Sequence, residues 1–182
     1  MRHPFCIVGA IILLHGTCVA HAQAKVDEPT MKAIAFEQVS RFIRWPAQAT
    51  AQDTPFVIGL IGNNSVTVQA EKLYAGRTIR NRKVEVRRIA EVADAANCHL
   101  VYVAGEERKP LSRIKATLEN LPVLTVCDRP GAAEAAVLLN LYVHRGRLRF
   151  EINEQGFARA GLEVDPLLLK VARNVNPKKG KQ

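Results

Sequence analysis

Apolar positions along this chain fall into short runs whose period changes repeatedly, and the order of those changes predicts its elements. Over 28–44, Met31, Ile34, Ala35, Gln38, Val39 and Phe42 follow three-and-four spacing, widened by Phe36 and Ile43, which predicts a helix. Asp27 or Thr30 can cap it. Trp45 and Pro46 end it, because the residue before a proline is driven out of helical geometry. The run 56–62, Phe-Val-Ile-Gly-Leu-Ile-Gly, is apolar without alternation, as in a strand buried on both faces. Asn63, Asn64 and Ser65 then offer cap chemistry for a helix to about residue 75, stopped by Gly76. Val84, Val86 and Ile89 mark a second strand, 91–96 a short helix and 100–103 a third strand. An amphipathic helix follows over 106–120, with Leu111, Ile114 and Leu118 on one face, and 122–126 is a fourth strand.

Strand alternating with helix predicts right-handed crossovers, hence an α/β fold with a mostly parallel, Rossmann-like sheet flanked by helices. After 128–131 the pattern turns local. The runs 137–143 and 147–152, separated by His144, Arg145 and Gly146, predict a β-hairpin. In its second strand Leu148, Phe150 and Ile152 alternate with Arg147, Arg149 and Glu151, one face buried and the other polar. Short helices over 154–160 and 166–174 complete the core. No internal repeat or linker divides it, so a single domain is expected over 27–176, with a basic polar tail at 177–182.

The first residues read differently. A basic start, an apolar run from Phe5 to Ala20 and small residues at Ala20 and Ala22 form the three-part pattern of a secretory signal peptide over 1–22. Cleavage is expected before Gln23, or before Lys25. The run reaches about 16 residues, interrupted by His15, Gly16 and Thr17, where a membrane span needs about 20. The mature protein is therefore expected outside the cytoplasm, in the periplasm. Removing the leader takes one positive charge, Arg2, from a formal net charge of +9. In an exported protein that excess points to an anionic surface or an acidic protein partner rather than to nucleic acid. The few aromatics, not interleaved with the basic residues, also offer no stacking platform for single strands.

Candidate chemistry is sparse. The turn at Asn63, Asn64 and Ser65 lies where an α/β fold holds a phosphate or carboxylate, but it lacks the dinucleotide fingerprint and the P-loop lysine. A tight turn with a helix cap explains it better. No nucleophile elbow, carboxylate pair or metal-ligand spacing stands out, so no catalytic residues, metal or cofactor are expected. His99, at the start of a strand, and His144, in a hairpin turn, read as structural or solvated. The basic cluster Arg77, Arg80, Arg82, Lys83, Arg87 and Arg88 could meet an acidic partner or lipid head groups, or protect a solvated edge strand. Trp45, the only tryptophan, sits beside Arg41 and Arg44, either covering the core or anchoring a partner. Beyond the leader two cysteines remain, Cys98 before one strand and Cys127 at the end of the next. In one parallel sheet they lie roughly 20 Å apart, too far to bridge, so both are expected as unpaired thiols.

The stretch 32–46 (Lys-Ala-Ile-Ala-Phe-Glu-Gln-Val-Ser-Arg-Phe-Ile-Arg-Trp-Pro) resembles the opening helix of the YfiR-like periplasmic family. Four further pieces match in order: 56–62, 98–104, 122–126, and 147–153 followed by 158–162. The resemblance spans about 31–175 and implies a regulator rather than an enzyme. YfiR-type proteins bind and repress the periplasmic sensor portion of a membrane-bound diguanylate cyclase. An outer-membrane lipoprotein can sequester them, which raises cyclic-di-GMP and favours biofilm. Some members form homodimers and carry redox-linked disulfides, from which the two cysteines here depart. The contact positions expected here are Arg41, Arg44 and Trp45 at the first helix end, and Arg149 and Glu151 on the last hairpin. The alternative function is a periplasmic module binding a small anion at Asn63, Asn64 and Ser65 and feeding a membrane sensor.

Overall fold

In a computed structural model the chain is described over residues 26–50, 54–107 and 111–175; the leader, both cleavage positions and the tail at 177–182 lie outside these residues. Helix α1 spans Glu28–Arg41, capped by the Asp27 carboxylate accepting the Thr30 amide. It ends three residues before the predicted 44. Ile43–Arg44 instead form strand β1, because a later segment pairs with it. The Arg80 guanidinium closes the helix end by donating to the Ser40 and Ile43 carbonyls. The buried face is also rotated from the one predicted. Lys32, Ala33, Ala35, Phe36, Val39 and Ser40 are buried, while Gln38 is exposed.

A 3-10 turn, Ala47–Thr50, leads to β2, Phe56–Ile61, buried at every position. Asn64 caps α2, Ser65–Tyr74, through a reciprocal capping box with Thr67. Short strand β3, Thr78–Ile79, turns back through Arg80 and Asn81, both at positive φ, into β4, Arg82–Arg88. The segment predicted as a helix over 91–96 is a 3-10 helix, Val92–Asn97. Strand β5, Leu100–Val103, follows, then α3, Leu111–Leu118, shorter than the predicted 106–120 because Gly105 and Glu106 form a turn. Strand β6, Leu124–Cys127, begins two residues later than predicted, and the four-residue α4, Ala132–Ala135, was not foreseen. The hairpin is β7, Leu139–His144, and β8, Arg147–Ile152, followed by α5, Glu154–Arg159, capped by Asn153. Strand β9, Glu163–Val164, pairs antiparallel with β1 as a separate two-stranded ribbon. Helix α6, Pro166–Val171, stops short of the predicted 174, because β10, Arg173–Asn174, pairs parallel with the end of β8.

The main sheet has eight strands in the order β10-β8-β7-β6-β5-β2-β4-β3, mostly parallel, flanked by helices and ending in the hairpin and short helices. The mixed α/β fold thus agrees with the sequence reading. Strand β2 is central. The chain steps one way to β4, then back past β2 to β5, β6 and β7. Right-handed crossovers in opposite directions place their helices on opposite faces. Helices α1, α2, α5 and α6 cover the face of Phe56, Ile58, Leu60, Leu100, Tyr102 and Leu124. The 3-10 helix at 92–97, α3 and α4 cover the face of Val57, Ile61, Val101, Val103 and Cys127. Covering both faces is what the unbroken apolar runs encoded. Gly59 is required on β2: a Cβ there would lie 2.8 Å from Cys98 Sγ.

Candidate functional site

Stepping first to one side of the central strand and then to the other creates a switch point between β2 and β5. In open α/β sheets the crevice beyond the carboxyl ends of such strands is where ligands bind. Here that end is occupied by the chain's own polar groups. Asp128, just past β6, accepts from the Gly105 amide at 2.8 Å and from Lys32 Nζ at 2.9 Å. Lys32 also meets Glu28 Oε1 at 2.7 Å, and its side chain and that of Asp128 are about one-tenth exposed. Burial pulls the Lys32 ammonium toward deprotonation, but hydrogen bonds and charges from Glu28 and Asp128 outweigh it, and its pKa lies above the ordinary lysine value. Beneath them Tyr102 is fully buried, its ring 5.2 Å from that of Phe36. Burial, and then the Asp128 charge, push its phenol well above the usual range.

The turn at 63–65 borders this network and is committed to it. Asn64 Oδ1 accepts the Thr67 amide, while Asn64 Nδ2 donates to Tyr102 Oη at 3.2 Å and Glu106 Oε2 at 3.0 Å. Asn63 Oδ1 accepts from Arg88, and Ser65 is exposed as the first residue of α2. An anion at this helix start would have to displace the cap and would face the Glu106 carboxylate. Among the described residues no three His, Cys, Asp or Glu side chains cluster to hold a metal ion.

The predicted contact positions separate by burial. Trp45 lies in the core, 7% exposed, edge-on to Phe56 with ring centroids 5.6 Å apart, and the Arg80 guanidinium lies 5.8 Å from its ring centroid. Its indole nitrogen has no hydrogen-bond partner among the described residues. Arg41 and Arg44 are exposed and paired, with Glu37 at 2.6 Å and Glu163 at 3.4 Å. The Arg44 pair crosses the β1–β9 ribbon, so the end of α1 adjoins the C-terminal segment. There Leu167 and Val171 are exposed on α6, beside a groove of about 370 Å³ lined by Phe157, Leu162, Val164 and Leu169.

On the hairpin Arg149 is exposed but Glu151 is buried, which corrects the expectation of a wholly polar, solvated face. Its carboxylate accepts from Asn140 Nδ2 at 3.0 Å and from the Arg173 guanidinium, because β10 folds over that end of β8. The basic cluster is largely absorbed as well. Arg87 and Arg88 pair with Glu85 and Glu71, and Arg82 bonds Thr54 and Pro55.

Cys98 and Cys127 are free and buried. Cys127 pairs in register with Val103 at the far end of β5, whereas Cys98 precedes that strand. Burial pushes the Cys98 thiol up to about 11 and raises that of Cys127, so both resist ionisation. His99 is a structural staple: Nδ1 accepts the Val57 amide at 3.0 Å, leaving Nε2 to donate to the Ala49 carbonyl at 2.7 Å.

The residues at the switch point that were missed are Lys32, Tyr102 and Asp128. Lys32 stands four positions before Phe36, on the face that proves buried, and Asp128 directly follows an apolar strand. An acidic residue at the carboxyl end of a parallel strand was the available signal.

Fold and site together define a doubly wound α/β domain whose switch-point crevice is occupied by its own Lys32 and Asp128 side chains. The profile of the YfiR/HmsC-like family matches residues 30–173, and the chain belongs to that family. Proteins of this family are periplasmic regulators of cyclic-di-GMP signalling rather than catalysts. No helix among the described residues is long and apolar enough to cross a membrane.

Proposed function

We propose that this protein is exported through its cleaved leader and binds the periplasmic sensor portion of a membrane-bound diguanylate cyclase, lowering cyclic-di-GMP output. The observation that carries the reading is the family match over 30–173, nearly the whole folded region. The occupied switch point supports it, since Lys32 and Asp128 stand where a small ligand would otherwise sit. Docking would act by differential affinity: a partner held in its inactive arrangement stays inactive only in so far as that arrangement binds more tightly. At the α1 end the contact falls to Arg41 and Arg44, with buried Trp45 holding that end in place from below. On the hairpin it falls to Arg149. An outer-membrane lipoprotein that competes for the same surface would relieve repression, and a homodimer would present that surface twice.

The test is deletion of the gene in the native host under conditions where the cyclase is made. Cyclic-di-GMP rises, and a plasmid copy restores it. Unchanged nucleotide levels refute the reading. The anion-binding alternative has no favouring observation, because the Asn64 side chain is fully engaged.

A further inference from the structure

The eight-stranded sheet ends on a strand only partly covered. In the hairpin the two-residue turn of Arg145 and Gly146, both at positive φ, makes His144 and Arg147 the closing pair. Hydrogen bonding alternates from there. Residues 147, 149 and 151 bond back to β7, so Leu148, Phe150 and Ile152 turn their N–H and C=O outward. Ile152 is served, its carbonyl accepting from the Val175 amide at 2.8 Å beside β10. But β10 reaches only Glu151 and Ile152. That pairing runs through the outward groups of Phe150 and Ile152, so the Phe150 carbonyl is taken by Arg173, and among the described residues no strand pairs with the outward backbone of Leu148 or with the Phe150 amide.

The side chains give this edge a character. Leu148 and Phe150 are half-buried against the main core. Arg147 and Arg149, on the other face, are exposed and make no ion pair among the described residues. His144 and Arg145 add to them, and no acidic residue occurs between 144 and 150. The opposite side of the sheet differs: on β4 the Val84 amide is bonded to the Arg77 carbonyl, and Arg87 and Arg88 are neutralised by Glu85 and Glu71. A second copy is a poor occupant for β8, since edge-to-edge pairing about a twofold sets Arg147 and Arg149 against the same arginines.

We infer that the outer edge of β8 receives an extended segment of an acidic partner protein by strand addition. Asp or Glu at alternate positions faces Arg147 and Arg149, and apolar residues between them continue the row of Leu148 and Phe150. The inference rests on the docking role proposed above and assigns that role a partner chemistry.

The probe is a fluorescein-labelled decapeptide alternating Glu and Val, titrated by anisotropy against the full chain at low ionic strength. It binds, and hydrogen exchange at Leu148 and Phe150 slows. Arg147→Glu combined with Arg149→Glu weakens binding about tenfold, the scale of two surface ion pairs inverted in sign. Both side chains are exposed, so the melting temperature is unchanged. A peptide N-methylated at alternate residues on its bonding edge loses binding while keeping every charge. The inference is overturned by no binding, by equal binding of the N-methylated peptide, which marks charge attraction alone, or by a double variant within twofold of the parent. Cellular cyclic-di-GMP separates the two ideas. If deletion raises it but the peptide results fail, regulation stands and the β8 edge does not. If the peptide binds as stated but deletion changes nothing, the edge stands and regulation by this protein does not.

Discussion

Asp128→Ala perturbs the centre of the switch-point network and has a magnitude that follows from its contacts. The carboxylate serves the Gly105 amide at 2.8 Å and the Lys32 ammonium at 2.9 Å, and truncation leaves both short of an acceptor. An orphaned amide costs about 1–3 kcal/mol, and loss of a hydrogen bond to a charged group about 1.5–3 kcal/mol. Values near the lower ends apply, because Gly105 is half-exposed and Lys32 keeps Glu28 at 2.7 Å. The expected loss is about 3 kcal/mol, or roughly 6–12 °C in Tm for a domain of this size. Urea unfolding reads it directly: Trp45 is the sole tryptophan and is buried, so its emission reports global unfolding alongside circular dichroism. Lys32→Met and the double variant Lys32→Met with Asp128→Ala complete the cycle. The double variant loses less than the sum of the single losses, because neither charge is left buried alone. A loss below about 1 kcal/mol for Asp128→Ala, or strict additivity, would refute the claim that this pair holds the crevice closed.

Gly59→Ala forces a methyl to within 2.8 Å of Cys98 Sγ and 3.1 Å of Ile89; an overpacking loss of about 1–3 kcal/mol is expected in the same urea assay. Burial, and the charge of the Arg82 guanidinium 3.1 Å from Nε2, hold the His99 pKa below its ordinary value despite the opposing hydrogen bond to Ala49. Above about pH 6.5 His99 is neutral in folded and unfolded chains alike. As pH falls through that value the unfolded chain takes up its proton first, so stability declines until the lower folded pKa is passed. The difference in unfolding free energy between the parent and His99→Phe should therefore vary with pH below, but not above, that point. In protein lacking residues 1–22, Cys98 and Cys127 should be silent to Ellman's reagent in the native state and give two equivalents in denaturant; rapid native labelling would contradict their burial and raised pKa values.

The alternation of elements was legible because buried parallel strands leave an unmistakable trace: every position of 56–61 and 100–103 is apolar and buried. Cap chemistry bracketed the starts of α1 and α2: of Asp27 or Thr30 the structure uses Asp27, and of Asn63, Asn64 and Ser65 it uses Asn64. Helix ends were less readable where distant segments compete for the backbone. Ile43 and Arg44 continue a helical stripe locally, yet the pairing with Val164 and Glu163 captures them as strand, and Arg173 is captured by β8 in the same way. The polar network at the switch point was invisible for a related reason. Lys32 reads as solvated until Asp128, 96 positions away, is brought against it. Glu151 reads as exposed until Arg173 folds over it.

The ribbon of β1 and β9 joins Arg44 to Glu163 across 119 positions, a clasp between the opening and closing portions of the domain. A polypeptide emerging amino end first, from a ribosome or a channel, would hold half of that clasp idle until residue 163 had emerged. Maturation is then a single late event rather than a progressive one. Any stop codon before 163 would leave an unlatched chain for quality-control proteases, with no graded series of shorter, partly working forms.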